Sequence, residues 1–310
     1  MRRYQPSKVV RSEDIQLLTL SSVLTGLLVG RIGFAISRVI YIFIFSPILM
    51  GAFGGAVIAR AIEKGKVRNP TLAITFSALT GLIIYGTLNY GDYFAFRQKA
   101  SKEIAKEFPQ VDQVSTNQLT DRFLREKTGL TGFCGYLKYS AQQGQQITII
   151  GHPSEVIKLN ETFTWLYWLV ELGLIGSTAI AITRPAASEP FCETCQQWYG
   201  DKQWLGSVDC NLADNFLNRL ETENLTHAGE IVNGRQIRPR SVPRLDIYLQ
   251  RCLSCQISDS VIVINKISLA SNRKAQSESI LTGMLSSKQK ADFVKAVERQ
   301  AQQKDDTEES

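Results

Sequence analysis

Histidine is nearly absent from this chain. Among its 310 residues only His152 and His227 carry an imidazole. That scarcity argues against a His-rich catalytic metal centre and against a Ser-His-Asp triad. The well-marked catalytic loops are missing too. There is no Walker loop, no G-x-G-x-x-G, no G-x-S-x-G and no H-E-x-x-H. Charge is scarce in one long stretch: residues 15–62 contain no acid and only Arg31, Arg38 and Arg60 as bases. A cleavable signal peptide is not expected, because the first apolar run continues past any small-residue cleavage site. The averages conceal this unevenness. A hydrophobic content of 44% and a mean hydropathy of −0.07 are ordinary values for soluble proteins.

What is present first is apolar length. Residues 15–62, if helical throughout, measure about 72 Å at the helical rise. A bilayer core is about 30 Å thick, so this stretch suits two passes. The expected helices are 15–37 and 40–62, with a tight turn at Arg38 and a kink at Pro47. Residues 71–90 and 162–183 provide a third and a fourth span. Tyr85, Tyr90, Tyr93, Phe94 and Phe96 end the third, and Trp165, Tyr167 and Trp168 begin the fourth, as interfacial anchors do. Small residues recur four apart at Gly26/Gly30, Gly51/Gly55 and Ser77/Gly81, a spacing that lets helices approach closely in lipid.

These features, with the cysteine pairs Cys192/Cys195 and Cys252/Cys255, predict an α-helical integral membrane protein of about four transmembrane helices, joined to a small α+β C-terminal domain that is zinc-ribbon-like. Residues 1–14 read as a polar, disordered or surface-lying tail, and 15–96 as a three-helix membrane region. Residues 97–161 read as a small extramembrane α+β segment, with helices at 99–108 and 118–127 and a β-like stretch at 132–150. Arg184-Pro185 closes the fourth helix, and 184–302 form the α+β domain. Within it a helix is expected at 211–223 and strands at 244–251 and 260–268. A last helix begins near Ser286, whose spacing to Gln289 fits a capping box, with Phe293, Val294 and Val297 as its apolar stripe. The acidic end, 303–310, reads as disordered.

Basic residues flanking the spans predict orientation. With the N-terminus inside, Arg2, Arg3, Lys8, Arg11, Arg60, Lys64, Lys66, Arg68 and Arg184 lie on the cytoplasmic side. They outnumber Arg38, Arg97, Lys99, Lys102, Lys106 and Lys158 on the other. Both termini are therefore expected in the cytoplasm, where thiols stay reduced.

Thiols carry the most specific signal. Cys192-Glu193-Thr194-Cys195 and Cys252-Leu253-Ser254-Cys255 are both C-x-x-C pairs. Each can grip a metal from a tight turn, and two such turns complete a tetrahedral Zn2+ site, one ion per chain. The spacing departs from a simple ribbon, whose pairs lie roughly 15–20 residues apart. Here residues 196–251 intervene, and Gln196 and Gln256 stand where knuckles often carry glycine. The same pairs also admit a redox role or plain burial of the thiols. Cys134 and Cys210 read as small buried apolar residues.

Two further groups stand out. Glu171 falls inside the fourth span, where an ionisable residue needs a partner. Arg31 lies at matching depth in the first, so an intramembrane Arg31–Glu171 ion pair is expected. The run Gly234 to Arg244 holds Arg235, Arg238, Arg240 and Arg244 without an acid, which suits an anionic surface such as lipid headgroups. No aromatics interleave there, so nucleic acid is not an expected partner.

The segments Gly65-Lys66-Val67-Arg68-Asn69, Trp165-Leu166-Tyr167-Trp168-Leu169-Val170-Glu171-Leu172 and Glu189-Pro190-Phe191-Cys192-Glu193-Thr194-Cys195 give the chain its likeness. It resembles uncharacterised bacterial multi-pass membrane proteins with a cysteine-knuckle domain. The resemblance implies topology and a bacterial inner or plasma membrane location, and no activity. The expected role is that of a membrane-anchored structural or interaction protein rather than an enzyme. It would meet the lipid bilayer and a protein partner through the C-terminal domain. The competing expectations are a membrane thiol–disulfide oxidoreductase and a transport subunit using Glu171.

Overall fold

The computed structural model describes residues 1–39, 42, 44–107, 113–149, 152–234, 242–254, 259–269 and 274–308. They divide into two compact units, residues 8–187 and residues 1–7 with 188–310.

The first unit contains four helices long and apolar enough to cross a membrane: α1 (Ser12–Ser37), α2 (Phe45–Gly65), α3 (Pro70–Glu107) and α6 (Glu161–Ser188). Their starts are written in the sequence. Asp14 accepts the backbone N–H of Arg11 at 3.0 Å, reaching back from the first turn of α1. Asn69 caps α3 through the N–H groups of Thr71 (3.0 Å) and Leu72 (3.2 Å), with Pro70 at the first helical position. Asn160 does the same for α6 through Phe163 N–H at 3.0 Å.

Several boundaries differ from the sequence expectation. Pro47 lies in the first turn of α2, where its missing N–H costs no helical bond, so it begins the helix rather than kinking it. The helix ends on Lys66 in the left-handed conformation (φ 54°), with Val67 N–H bonding Ile62 C=O at 3.0 Å. α3 runs unbroken through the expected break near 97, making a rod of about 57 Å. α6 passes through Pro185 to Ser188, because proline there removes one bond but does not stop packed neighbours from holding the turn.

The small-residue pairs are where the helices meet. A side chain on Gly26 would strike Ile83, and one on Gly30 would strike Thr87, both on α3. Gly51 and Gly55 of α2 lie against the backbone of Ile175 and Ala179 on α6. Ser77 and Thr183 share a hydroxyl hydrogen bond of 2.6 Å between α3 and α6, and Gly81 faces Gly176 one turn on. Close backbone contact and interhelical hydrogen bonds of this kind are what hold apolar helices together where the surroundings offer no hydrophobic drive.

The part of this unit outside the apolar spans is more helical than expected. α4 (Gln113–Thr128) and α5 (Gly132–Gln143) precede an antiparallel hairpin of β2 (Gln146–Ile149) and β3 (His152–Lys158). The β-like stretch thus starts as a helix. Its aromatic positions explain why: Phe133, Tyr136 and Tyr139 stack on Tyr90, Tyr93 and Phe96 of α3 at centroid distances of 5.3–5.8 Å. The expected aromatic belt is therefore divided. Tyr93 is buried between α3 and α5, while Tyr90 and Phe94 stay exposed. Burial pushes the Tyr136 phenol up to about 12.

The second unit is an antiparallel five-stranded sheet in the order β1-β9-β8-β7-β6. Its strands are β1 (Arg2–Arg3), β6 (Gln203–Asp209), β7 (Arg244–Gln250), β8 (Ser260–Leu269) and β9 (Ala275–Leu285). Leu245, Ile247, Leu249, Ile262 and Ile264 alternate onto one face. They pack with Phe216 and Leu220 of α7 (Ala213–Glu221), Leu225 of α8 (Leu225–Gly229) and Phe293 and Val297 of α9 (Ser287–Glu308). The capping box forms as expected: Gln289 N–H to Ser286 Oγ at 3.3 Å and Ser286 N–H to Gln289 Oε1 at 3.0 Å. Two terminal expectations change. Arg2 and Arg3 form a strand against Met284 and Gly283, so the start of the polar tail is structured. The helix α9 continues to Glu308, through most of the stretch expected to be disordered.

Candidate metal centre

The first cysteine pair sits in a two-stranded hairpin. β4 (Phe191–Cys192) and β5 (Gln197–Trp198) align Phe191 with Trp198 and Cys192 with Gln197. Phe191 and Trp198 meet edge to face at 5.1 Å, which fixes the base of the hairpin. Its tip, residues 193–196, must turn back sharply. Gln196 takes the left-handed conformation (φ 52°), the geometry for which glycine is the easy choice. Its side chain donates to Glu193 C=O at 2.7 Å and holds the turn from within. Gln196 thus adopts the left-handed turn that glycine takes most readily.

The second pair begins directly after β7. Gly200 N–H bonds Arg251 C=O at 3.0 Å, and Gln250 Nε2 donates to Gly200 C=O at 3.2 Å. Tyr199 Oη donates to Asp259 C=O at 2.7 Å, beyond the pair on its other side. These bonds join the exit of the first knuckle to both flanks of the second. The long intervening segment then forms β6, α7, α8 and β7, and so it closes a domain instead of separating the pairs.

The result is a cluster of sulfurs. The Sγ atoms of Cys192, Cys195 and Cys252 lie within 4.8 Å of one another. Cys192 and Cys252 are each 4% exposed. Gln197 Nε2 donates toward Cys252 Sγ at 3.8 Å. The donor set suits a soft or borderline metal: tetrahedral thiolates around zinc at about 2.3 Å require sulfurs at this order of separation. Cys255, the fourth expected ligand, lies outside the described residues. Cys134 is exposed on α5 rather than buried, and neither it nor Cys210 belongs to the group.

The other expected site residues fare differently. Glu171 is buried, 6% exposed, and accepts a hydrogen bond from Tyr85 Oη at 3.3 Å. Arg31 is exposed on α1, and no ion pair involves it among the described residues. The matched depth of the two was legible, but the faces were not. Gly26 and Gly30 turn α1 toward α3, and Arg31, one residue on, is rotated about 100° from that seam. Tyr85 was read only as an aromatic anchor, and no sequence signal marked its hydroxyl as the partner of Glu171.

Among the basic run, Arg235, Arg238 and Arg240 lie outside the described residues. Arg244 is the first residue of β7, and its side chain is 12% exposed. Its guanidinium donates to Asp246 at 2.8 Å (Nε to Oδ1) and 3.4 Å (Nη2 to Oδ2). A residue so engaged is a strand clamp and not the surface contact expected of it. No protein-family model matches this chain, and neither the curated proteins nor the solved structures provide a match.

Proposed function

We propose that the protein is a membrane-anchored structural or interaction module. Its four apolar helices hold a C-terminal α+β domain closed by one structural Zn2+ on Cys192, Cys195, Cys252 and Cys255. The observation that carries this reading is the convergence of three sulfurs from two loops far apart in sequence, two of them buried. Bound zinc supplies a tetrahedral crosslink between the two knuckles and much of the local folding energy. The protein supplies the hairpin, the left-handed Gln196 and the Tyr199–Asp259 bond that bring the thiols together.

Burial of Cys192 and Cys252 supports structure over redox exchange, which needs an exposed thiolate of low pKa. Four helices of sufficient length and apolarity support membrane insertion. The flanking basic residues support cytoplasmic termini, as in a bacterial plasma membrane protein. Recognition of a protein partner or of anionic lipid is the role we assign to the anchored domain, with Arg235, Arg238 and Arg240 as its sequence-level contact residues.

The test is metal analysis of the purified full chain, combined with thiol titration before and after chelation. One zinc per chain, with four thiols protected until the chelator is added, is the expected result. No metal together with a reversible disulfide would reject this reading in favour of a thiol–disulfide oxidoreductase.

A further inference from the structure

α3 and α4 enclose a cleft of about 510 Å³ that the zinc reading does not use. Its lining changes character along α3. Tyr90, Tyr93 and Phe94 come first, and Arg97, Ser101 and Lys102 follow, with Asn117 facing them from α4. Arg97 is steered into place by Tyr93: its guanidinium lies over the ring at 5.7 Å, and Nη1 donates to the phenol oxygen at 3.3 Å. No carboxylate pairs with Arg97 or Lys102 among the described residues. Two nearby α3 acids are engaged elsewhere, Asp92 with Arg38 at 3.8 Å and Glu103 with Lys106 at 3.1 Å. The cleft thus holds two cations, hydroxyl and amide groups, and an aromatic floor.

Its height matters. Counted from Pro70, about twenty residues of helix cross the bilayer core, which brings the far boundary to Tyr90. The Arg97 backbone then lies about 10 Å beyond it, just outside a headgroup layer about 5–8 Å deep, and its side chain leans back toward that layer. Side chains on a helix lean toward its N-terminus, which on α3 is toward the bilayer, so Lys102 reaches back in the same direction. We propose that this cleft binds the phosphodiester headgroup of an anionic phospholipid. Arg97 and Lys102 meet the phosphate, Ser101 and Asn117 meet headgroup hydroxyls, and Tyr90 and Phe94 cover the glycerol end. The proposal rests on the membrane reading of the four helices. It does not depend on zinc.

The test uses the purified full chain in detergent, titrated with dihexanoylphosphatidylglycerol, dihexanoylphosphatidylcholine and inorganic phosphate. Both lipids carry the phosphodiester, but the choline ammonium would face Arg97 and Lys102 and offers no hydroxyl to Ser101 or Asn117, so saturable binding of the glycerol lipid about tenfold tighter than the choline lipid is expected. Lys102→Gln should weaken it about tenfold, Arg97→Lys less than Arg97→Gln, and Lys99→Gln and Lys106→Gln hardly at all. Size-exclusion profiles matching wild type keep the variants interpretable. Equal binding of the two lipids overturns the proposal. So does inorganic phosphate binding as tightly as the glycerol lipid, which marks a free-anion site. Equal losses in the Lys99 and Lys106 variants also overturn it, since they mean diffuse charge. Alkaline carbonate extraction of membranes separates the two readings. A chain retained in the membrane that fails the lipid test sinks only the lipid site, and a chain released by carbonate sinks the membrane reading itself.

Discussion

Gln197, the cross-strand partner of Cys192 in the first knuckle, directs its side-chain amide at the sulfur of Cys252 in the second, at 3.8 Å. One residue thus belongs to one cysteine pair by backbone and to the other by side chain. A metal held by both pairs would find its ligands already oriented by this bridge, as outer-shell hydrogen bonds do elsewhere.

On the proposed zinc reading, Gln197→Ala keeps one zinc per chain and lowers zinc affinity about tenfold, the lower end of outer-shell effects. Competition with a chromophoric chelator measures it. Unchanged affinity would mean that the amide does not support the site.

Gly55 of α2 allows the backbone of Ala179 on α6 to approach: an added Cβ would lie 2.9 Å from the Ala179 Cα. Gly86 of α3 has open space around the same position. Gly55→Val should destabilise the helical unit by about 1–3 kcal/mol through overpacking, whereas Gly86→Ala should leave it unchanged or slightly more stable. Thermal unfolding in detergent, followed by helical circular dichroism, distinguishes them. Equal effects would remove the α2–α6 contact from the account.

The Tyr85 hydroxyl donates to buried Glu171 between α3 and α6. Tyr85→Phe should cost about 0.6–1.7 kcal/mol, the range of interhelical hydrogen bonds within bilayers. Arg31→Gln should cost nothing measurable, because Arg31 is exposed. The reverse order of effects would restore the ion pair that the sequence suggested.

Tyr136 offers a pH test. Burial raises its folded pKa to about 12, above the ordinary phenol value of about 10. The neutral form is thus favoured in the fold. Its stabilising contribution is complete below about pH 10 and is lost as pH climbs through that value toward 12. Tyr136→Phe should flatten the decline in stability over this window, and tyrosinate absorbance near 295 nm should show one fewer late-titrating phenol. A wild-type profile that loses no stability there would contradict the burial of this ring.

The chain by itself determined what depends on local chemistry and length. The four apolar helices, the capping box at Ser286, the alternation of Leu245, Ile247 and Leu249, and the small-residue seams could all be read from order and spacing. Each depends on neighbours within a few residues or on a single period. What the tertiary structure decided depends on rotation and on distant strands. The phase of α1 turned Arg31 away from Glu171, and Tyr85 took its place. Packing of Phe133, Tyr136 and Tyr139 on α3 made a helix of a stretch whose composition suggested a strand. Arg2 and Arg3 found an edge of β9. The cysteines show both halves. Their pairwise spacing predicted two metal-gripping turns, but residues 196–251 obscured whether the turns met. Only the closing of the sheet through β6 and β7, with Tyr199 bonded to Asp259, brings Cys252 to Cys192 and Cys195.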